Sequence, residues 1–236
     1  TGTSTGCSAT DSVAITVAAP PTAGVAGTAT ICSGQSTTLT ATGGGTYTWN
    51  DSSTSATIIV NPTSDAFYWV TVAVGSCTDS AGINVIVNPL PTATASSTSA
   101  VCEGGAISLS SSGGTGYAWA GPGGYTSSVQ NPSIPAATAS ASGTYPVTVT
   151  GANTCTATAT TTTTVNPMPA ITVSGATTVC TGSSTTLTAS GATSYSWNTG
   201  QTTAAVTVNP PTTTTYTVTG TSSAGCTGTQ TTTVTV

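Results

Sequence analysis

Apolar and polar residues alternate over short runs along this chain, and the runs recur in one order three times. In the first copy Thr37–Thr42 alternates around Leu39 and residues 47–49 alternate up to Trp49. Residues 56–60, 67–74 and 83–87 are rich in β-branched and aromatic side chains. Such period-two runs predict half-buried strands, and no stretch keeps a helical period over a useful length. Glycine-rich turns at 43–45, 113–114 and 123–124 separate the runs. About seven short strands per copy, with a core tryptophan expected on the third, predict an immunoglobulin-like β-sandwich.

The repeat is defined by spacing. Cys32, Cys102 and Cys180 are each followed 17 residues later by Trp49, Trp119 and Trp197, with Tyr47, Tyr117 and Tyr195 two residues before the tryptophan. Asn-Pro then follows each tryptophan by 12 residues, at Asn61-Pro62, Asn131-Pro132 and Asn209-Pro210. Tyr68, Tyr145 and Tyr216 open the next-to-last strand of each copy, and the second copy carries seven extra residues before its tyrosine. A fixed spacing repeated three times marks an array of similar modules.

The fold expected is therefore all-β, with tandem immunoglobulin-like β-sandwich modules in an end-to-end rod. Residues 1–19 read as the last strand of a preceding module, because TGTSTGCSATDSVAITV matches TSSAGCTGTQTTTVTV near the other end. The three modules then span 20–90, 91–168 and 169–236. Their joints, Asn88-Pro-Leu-Pro91 and Asn166-Pro-Met-Pro169, place proline on both sides of one apolar residue, which makes a short, stiff connection. The chain reads as a piece of something longer. A module of this size buries only roughly 60% of the surface its unfolded chain exposes, so help from disulfides or neighbours is expected.

Composition narrows the function. Among 236 residues there is no Lys, Arg or His, and the acids are five: Asp11, Asp51, Asp65, Asp79 and Glu103. Nucleic-acid affinity depends on cations neutralising phosphates, so a nucleic-acid partner is excluded. No apolar run approaches the roughly 20 residues of a membrane span, and there is no cationic amphipathic face, so membrane insertion is not expected. A mucin-like disordered stalk would also be poor in charge, but it would have no reason to keep Trp, Tyr, Val and Ile at fixed offsets.

The run Val-Cys-x-Gly, Leu-Thr-Ala, Tyr-x-Trp-Asn, Thr-Tyr-Thr-Val-Thr, Gly-Cys and Thr-Val-x-Val-Asn-Pro covers nearly the whole chain. It resembles the Ig-like/PKD-like tandem repeats of giant Bacteroidetes cell-surface proteins, among them gliding-motility adhesins exported by type IX secretion. The second module departs from that pattern, with Gly121-Pro-Gly-Gly124 where the third has Asn198-Thr-Gly200. The resemblance implies an extracellular, cell-surface-attached array. Asp11-Ser12-Val13 and Asp79-Ser80-Ala81 also fit the Asp-(Ser/Thr)-aliphatic O-glycosylation pattern of that phylum, which makes Ser12 and Ser80 candidate acceptors. Asp-Ser is equally ordinary turn chemistry.

Seven cysteines in such a chain suggest a disulfide framework. Two pairings are open. One bridges within modules: Cys32–Cys77, Cys102–Cys155 and Cys180–Cys226. The other crosses the joints, as Cys32–Cys155 and Cys102–Cys226, with Cys7, Cys77 and Cys180 pairing to modules outside the chain. The first cysteine of a module precedes its second strand, and the second sits in the last hairpin, at the opposite pole. A strand of six or seven residues separates the poles by ~20 Å, against roughly 4.4–6.8 Å between bridged Cα atoms. Crossing bridges are therefore the expectation.

Reactive chemistry is not evident. A hydrolytic or transfer enzyme needs an acid, a base or an activated nucleophile in mutual reach. The acids of the first module have no counterparts in the others, and they read as solvated loop carboxylates. Neither calcium-type carboxylate clusters nor zinc-type cysteine spacings occur, and no cofactor or metal is expected. Trp49, Trp119 and Trp197 share one position and read as core. Trp69 alternates out of phase with Tyr68 and Val70 in the first module only, which makes it the one candidate surface ligand contact.

The function expected is structural: a stalk segment of a large extracellular adhesin or filament, not an enzyme. Its partners would be neighbouring modules of the same chain. Alternatives are surface-glycan binding, the stalk of a secreted polysaccharide-degrading enzyme, and self-association into fibres.

Overall fold

Seven strands build the first module: β1 (Gly24–Ala26), β2 (Thr30–Cys32), β3 (Thr37–Thr42), β4 (Thr46–Trp49), β5 (Thr57–Val60), β6 (Ala66–Val74) and β7 (Cys77–Asn88). The computed structural model describes residues 11–15, 17 and 19–236. β1, β3 and β5 form one sheet, and β2, β7, β6 and β4 the other. Neighbours run antiparallel except β2, which lies parallel to the end of β7 with Cys32 level with Asn88. Alternation drives the burial. In Thr37–Thr42 every second residue turns inward, and Leu39 and Ala41 meet Trp49, Val70, Val72 and Val85 from the facing sheet.

The tryptophan lies on the fourth strand, not the third. The first strand is divided, its first half pairing with β3 and its second with β7. Gly27 marks the division: a Cβ there would lie 2.7 Å from both the Leu39 side chain and the Thr38 carbonyl. A second glycine is tied to the turn after β3. Gly43 has φ +127 and sits against the Thr22 carbonyl, as Gly113 (φ +107) does at Thr92 and Gly191 (φ +100) at Ala170. Each is in the left-handed region that other residues avoid.

Residues 91–236 form a second unit with two hydrophobic cores. The first comprises β8 (Thr94–Ser97), β9 (Ala100–Cys102), β10 (Ile107–Ser112), β11 (Gly116–Ala120), β12 (Thr126–Ser127), β13 (Ser133–Ile134), β14 (Gly143–Thr150) and β15 (Thr156–Asn166). The second comprises β16 (Thr172–Ser174), β17 (Thr185–Ser190), β18 (Ser194–Trp197), β19 (Ala205–Val208), β20 (Thr214–Thr221) and β21 (Thr227–Val234). The sheets are β13-β10-β8 with β12-β11-β14-β15-β9, then β16-β17-β19 with β18-β20-β21. β9 again runs parallel to the end of the last strand, with Cys102 level with Asn166. In the third module this contact shrinks to a single parallel bridge, Thr178 to Thr235.

All three repeat tryptophans are buried. Each donates its indole N–H to a backbone carbonyl of the following turn: Trp49 to Ser55 at 2.9 Å, Trp119 to Gln130 at 3.2 Å and Trp197 to Thr203 at 3.0 Å. A buried indole needs such a partner, and the bond ties the turn to the core. In the second module β13 takes the sheet position of β5 and β19, and a short 3-10 turn at Ala139–Ala141 lies between it and β14. That turn supplies the Ala141 carbonyl that accepts the Tyr145 hydroxyl at 2.7 Å, while Tyr125 packs edge-on against Tyr145. Burial, and then the neighbouring Tyr125, push the Tyr145 phenol above its ordinary value of 10.0.

Candidate functional site

The cysteines define the first candidate site. Cys102 closes β9, level with Asn166 on β15. Cys155 stands just before β15 begins, eleven residues earlier. At about 3.3 Å per residue, that distance is roughly 36 Å. In the first module Cys32 is level with Asn88 and Cys77 opens β7, again eleven residues earlier. The separation exceeds the expected ~20 Å because the last strand is long and continuous. It is far too great for a bridge within either module.

The bond is instead between Cys102 and Cys226, 124 residues apart, with 5.5 Å between their Cα atoms. Cys226 is fully buried beside the joint, its sulfur 3.9 Å from the Asn166 carbonyl. A tight turn presents it. Ser222 N–H bonds the Cys226 carbonyl at 2.8 Å, Gly225 N–H bonds Ser222 at 3.0 Å, and Gly225 has φ +79. The equivalent turn before Cys155 repeats this, with Gly151 N–H on the Cys155 carbonyl at 2.8 Å. Cys32 and Cys155 are each in the disulfide state, Cys77 is half-buried, and Cys180 is an exposed thiol. Cys7 lies outside the described residues.

The carboxylates do more than solvate loops. Asp79 stands on β7 and accepts Ala23 N–H at 2.8 Å, tying the last strand to the chain entering β1. Asp65 accepts Val87 N–H at 2.8 Å and Asp51 accepts Ser53 N–H at 2.9 Å. Glu103 makes a longer bond, 3.4 Å, to Ala139 N–H. These are one-acceptor backbone ties at four separate places. Among the described residues no three acids or cysteines gather to hold a metal ion.

The second candidate site is the outer face of β6 and β7. Phe67 and Trp69 are 55% and 42% exposed there, and Tyr68 between them turns inward against the core. Phe67 faces Asn84 and Trp69 faces Gly82 across the ladder. Beside them lies a shallow depression of about 430 Å³, lined in part by Asp65, Phe67, Asn84 and Ile86. Ser80 is exposed two residues along the same face, its hydroxyl 3.2 Å from that of Thr71. Ser12 is exposed too, but residues 11–15 carry no strand, so the final strand expected at Asp11-Ser12-Val13 is not formed there. Val13 and Ile15 are 84% and 86% exposed.

Sequence reasoning overlooked Asn50 and Asn198. Asn50 continues the β4 edge past Trp49: its side chain accepts Trp69 N–H and donates to the Phe67 carbonyl, both at 3.3 Å. Asn198 does the same to Thr217 and Thr215, at 3.2 and 3.4 Å. The signal was the Trp-Asn dipeptide shared by the first and third modules. A side chain imitating a strand residue leaves no periodicity to read.

Together the paired sheets, the parallel contact with the last strand and the repeated core tryptophan define the class: tandem immunoglobulin-like β-sandwiches. No protein-family model matches the chain, and no curated protein matches its sequence. Among solved structures the chain is similar to a three-domain I-band fragment of titin, at 14% identity over 93% of this chain and 99% of that one, with a TM-score of 0.47. It is also similar to extracellular domains 3–5 of Drosophila OTK (13% identity, 92% and 96% covered, TM-score 0.40). A 1.5-MDa bacterial ice-binding adhesin is a third (16% identity, 92% and 98% covered, TM-score 0.35).

Proposed function

We propose that this chain is a structural stalk segment of a large extracellular adhesin or surface filament, without catalytic activity, in which disulfides couple each module to the next. The observation that carries this reading is the Cys102–Cys226 bond, which joins consecutive sequence repeats. Cys32 and Cys155 occupy the equivalent positions one repeat earlier, and we assign them to each other on that ground. By the same positional rule Cys180, Cys77 and Cys7 would meet cysteines of further modules. A module tied to its neighbour cannot be pulled away at the joint, and strand ladders carry the remaining force. The absence of Lys and Arg leaves no trypsin site, which suits exposure to proteases.

The finer reading is that the filament belongs to a Bacteroidetes type IX cell surface, supported by the sequence resemblance and by the exposure of Ser12 and Ser80. O-glycans at those serines would supply hydration that a chain with five charges lacks. They would also shield open strand edges. Intact-mass measurement on native material should show additions at both serines.

Pulling the 236-residue chain by its ends tests the mechanical reading. Fully reduced, it should extend to about 850 Å at roughly 3.6 Å per residue. With Cys102–Cys226 closed, the 124 residues between them are withheld, leaving about 400 Å at most. Equal extension with and without reductant removes the reading. So does antibody labelling of source cells that requires permeabilisation.

A further inference from the structure

The β6–β7 face differs from its two counterparts at three positions at once. In the third module the equivalents of Phe67, Trp69 and Gly82 are Thr215, Thr217 and Thr231; in the second they are Thr144, Pro146 and Thr160. In the third module the face is a hydroxyl ladder, with Thr215 and Thr233 oxygens 2.9 Å apart, and in the second Pro146 interrupts a row of threonines. In the first module an aromatic–glycine–aromatic cluster replaces it.

The glycine makes room for the ring. A Cβ at Gly82 would strike Phe67 Cζ, with Cε2 at 2.8 Å, so the phenyl ring lies across the glycine Cα. Seated there, the ring still leaves 55% of the residue open to solvent. Trp69 stands two residues along the same strand, about 6.6 Å away. Asn50 holds the backbone of both aromatic residues from the β4 side. Two rings on a fixed strand are a rigid platform needing little ordering on binding.

The surroundings select the ligand. Polar groups flank the rings: Asn84 opposite Phe67, the Asp65 carboxylate anchored through one oxygen to Val87 N–H, and the Thr71 hydroxyl. With no cation in the chain and a net charge of −5, an acidic ligand would be repelled. A protein partner is disfavoured by size. The two rings expose on the order of 200 Å², against roughly 800 Å² per side in a stable protein interface. A chain of neutral sugars fits both limits, since pyranose C–H faces stack on aromatic rings while hydroxyls bond amide, carboxylate and hydroxyl groups beside them.

We propose that the β6–β7 face of the first module, with Phe67 and Trp69 seated about Gly82, binds a neutral polysaccharide by stacking sugar rings on the two aromatic side chains. This is separate from the mechanical reading, since a stalk would serve with or without it.

Native-gel affinity electrophoresis of the full chain tests it, using soluble β-1,3-glucan, xyloglucan and mannan as neutral probes and alginate as the acidic one. At least one neutral probe should retard the wild type while alginate does not. Trp69→Ala and Phe67→Ala should each weaken that retardation at least tenfold, with unchanged thermal melting. Gly82→Thr, which keeps both rings but displaces Phe67, should weaken it by a similar factor. No retardation by any neutral probe overturns the proposal, as does equal retardation of wild type and ring variants. Concentration-dependent self-association that Trp69→Ala abolishes would assign the face to copy-to-copy contact and overturn it as well.

Discussion

Cys102 and Cys155 belong to the same module yet lie at opposite ends of β15, roughly 36 Å apart along the strand. That distance leaves each needing a partner outside its own module, and Cys102 has it in Cys226. The small core of such a module makes the tie matter energetically. Replacing buried Cys226 with Ala should destabilise the third module by about 2–4 kcal/mol. Calorimetry should show its melting fall by several degrees or more, while the first module is unchanged.

Trp197 is 3% exposed and Trp69 42%. Trp197→Ala removes a buried indole and its hydrogen bond to Thr203, and should cost the third module about 3–5 kcal/mol in denaturant unfolding. Trp69→Ala should stay within about 0.5 kcal/mol of wild type, as surface substitutions do. Equal costs at the two positions would show that the core assignment is wrong.

Gly191 combines a φ of +100 with direct contact against the Ala170 carbonyl. Gly191→Ala should therefore destabilise by about 1–3 kcal/mol through strain and collision together. Gly200, also at positive φ but with open space around it, should cost only about 1 kcal/mol when changed to Ala.

Tyr145 gives an alkaline signature. Its phenol is raised in the folded state by burial and then by Tyr125, so the unfolded chain releases this proton first. The stability it contributes is complete below the unfolded value near 10 and is lost as pH rises through the higher folded value. The melting temperature of the second module should fall across that window. In Tyr145→Phe the fall should be shallower, although the lost bond to Ala141 lowers the curve throughout.

The strands and their inward faces were legible wherever alternation ran unbroken, as in Thr37–Thr42 and Thr185–Ser190. The core role of the repeat tryptophans followed from position alone. The opposite-pole placement of the cysteines was legible too, because strand order fixes which turns share an end. What escaped reading depends on partners far away in sequence. The first strand changes sheets at Gly27 because of Leu39, and Asp79 ties down Ala23 across 56 residues. The Asn50 amide replaces a strand residue, and Gly82 matters only once β6 and β7 are in register. The insertion before Tyr145 was visible as length, but its service as the tyrosine's acceptor was not.

Disulfide mapping under non-reducing conditions bears most directly on the coupling of module to module. With no Lys or Arg to cut, digestion requires chymotrypsin and an acid-specific protease. Mass spectrometry should find the Cys102 peptide joined to that of Cys226, and the Cys32 peptide to that of Cys155. Recovery of Cys102 with Cys155, of Cys32 with Cys77, or of Cys102 and Cys226 as thiols would contradict the account.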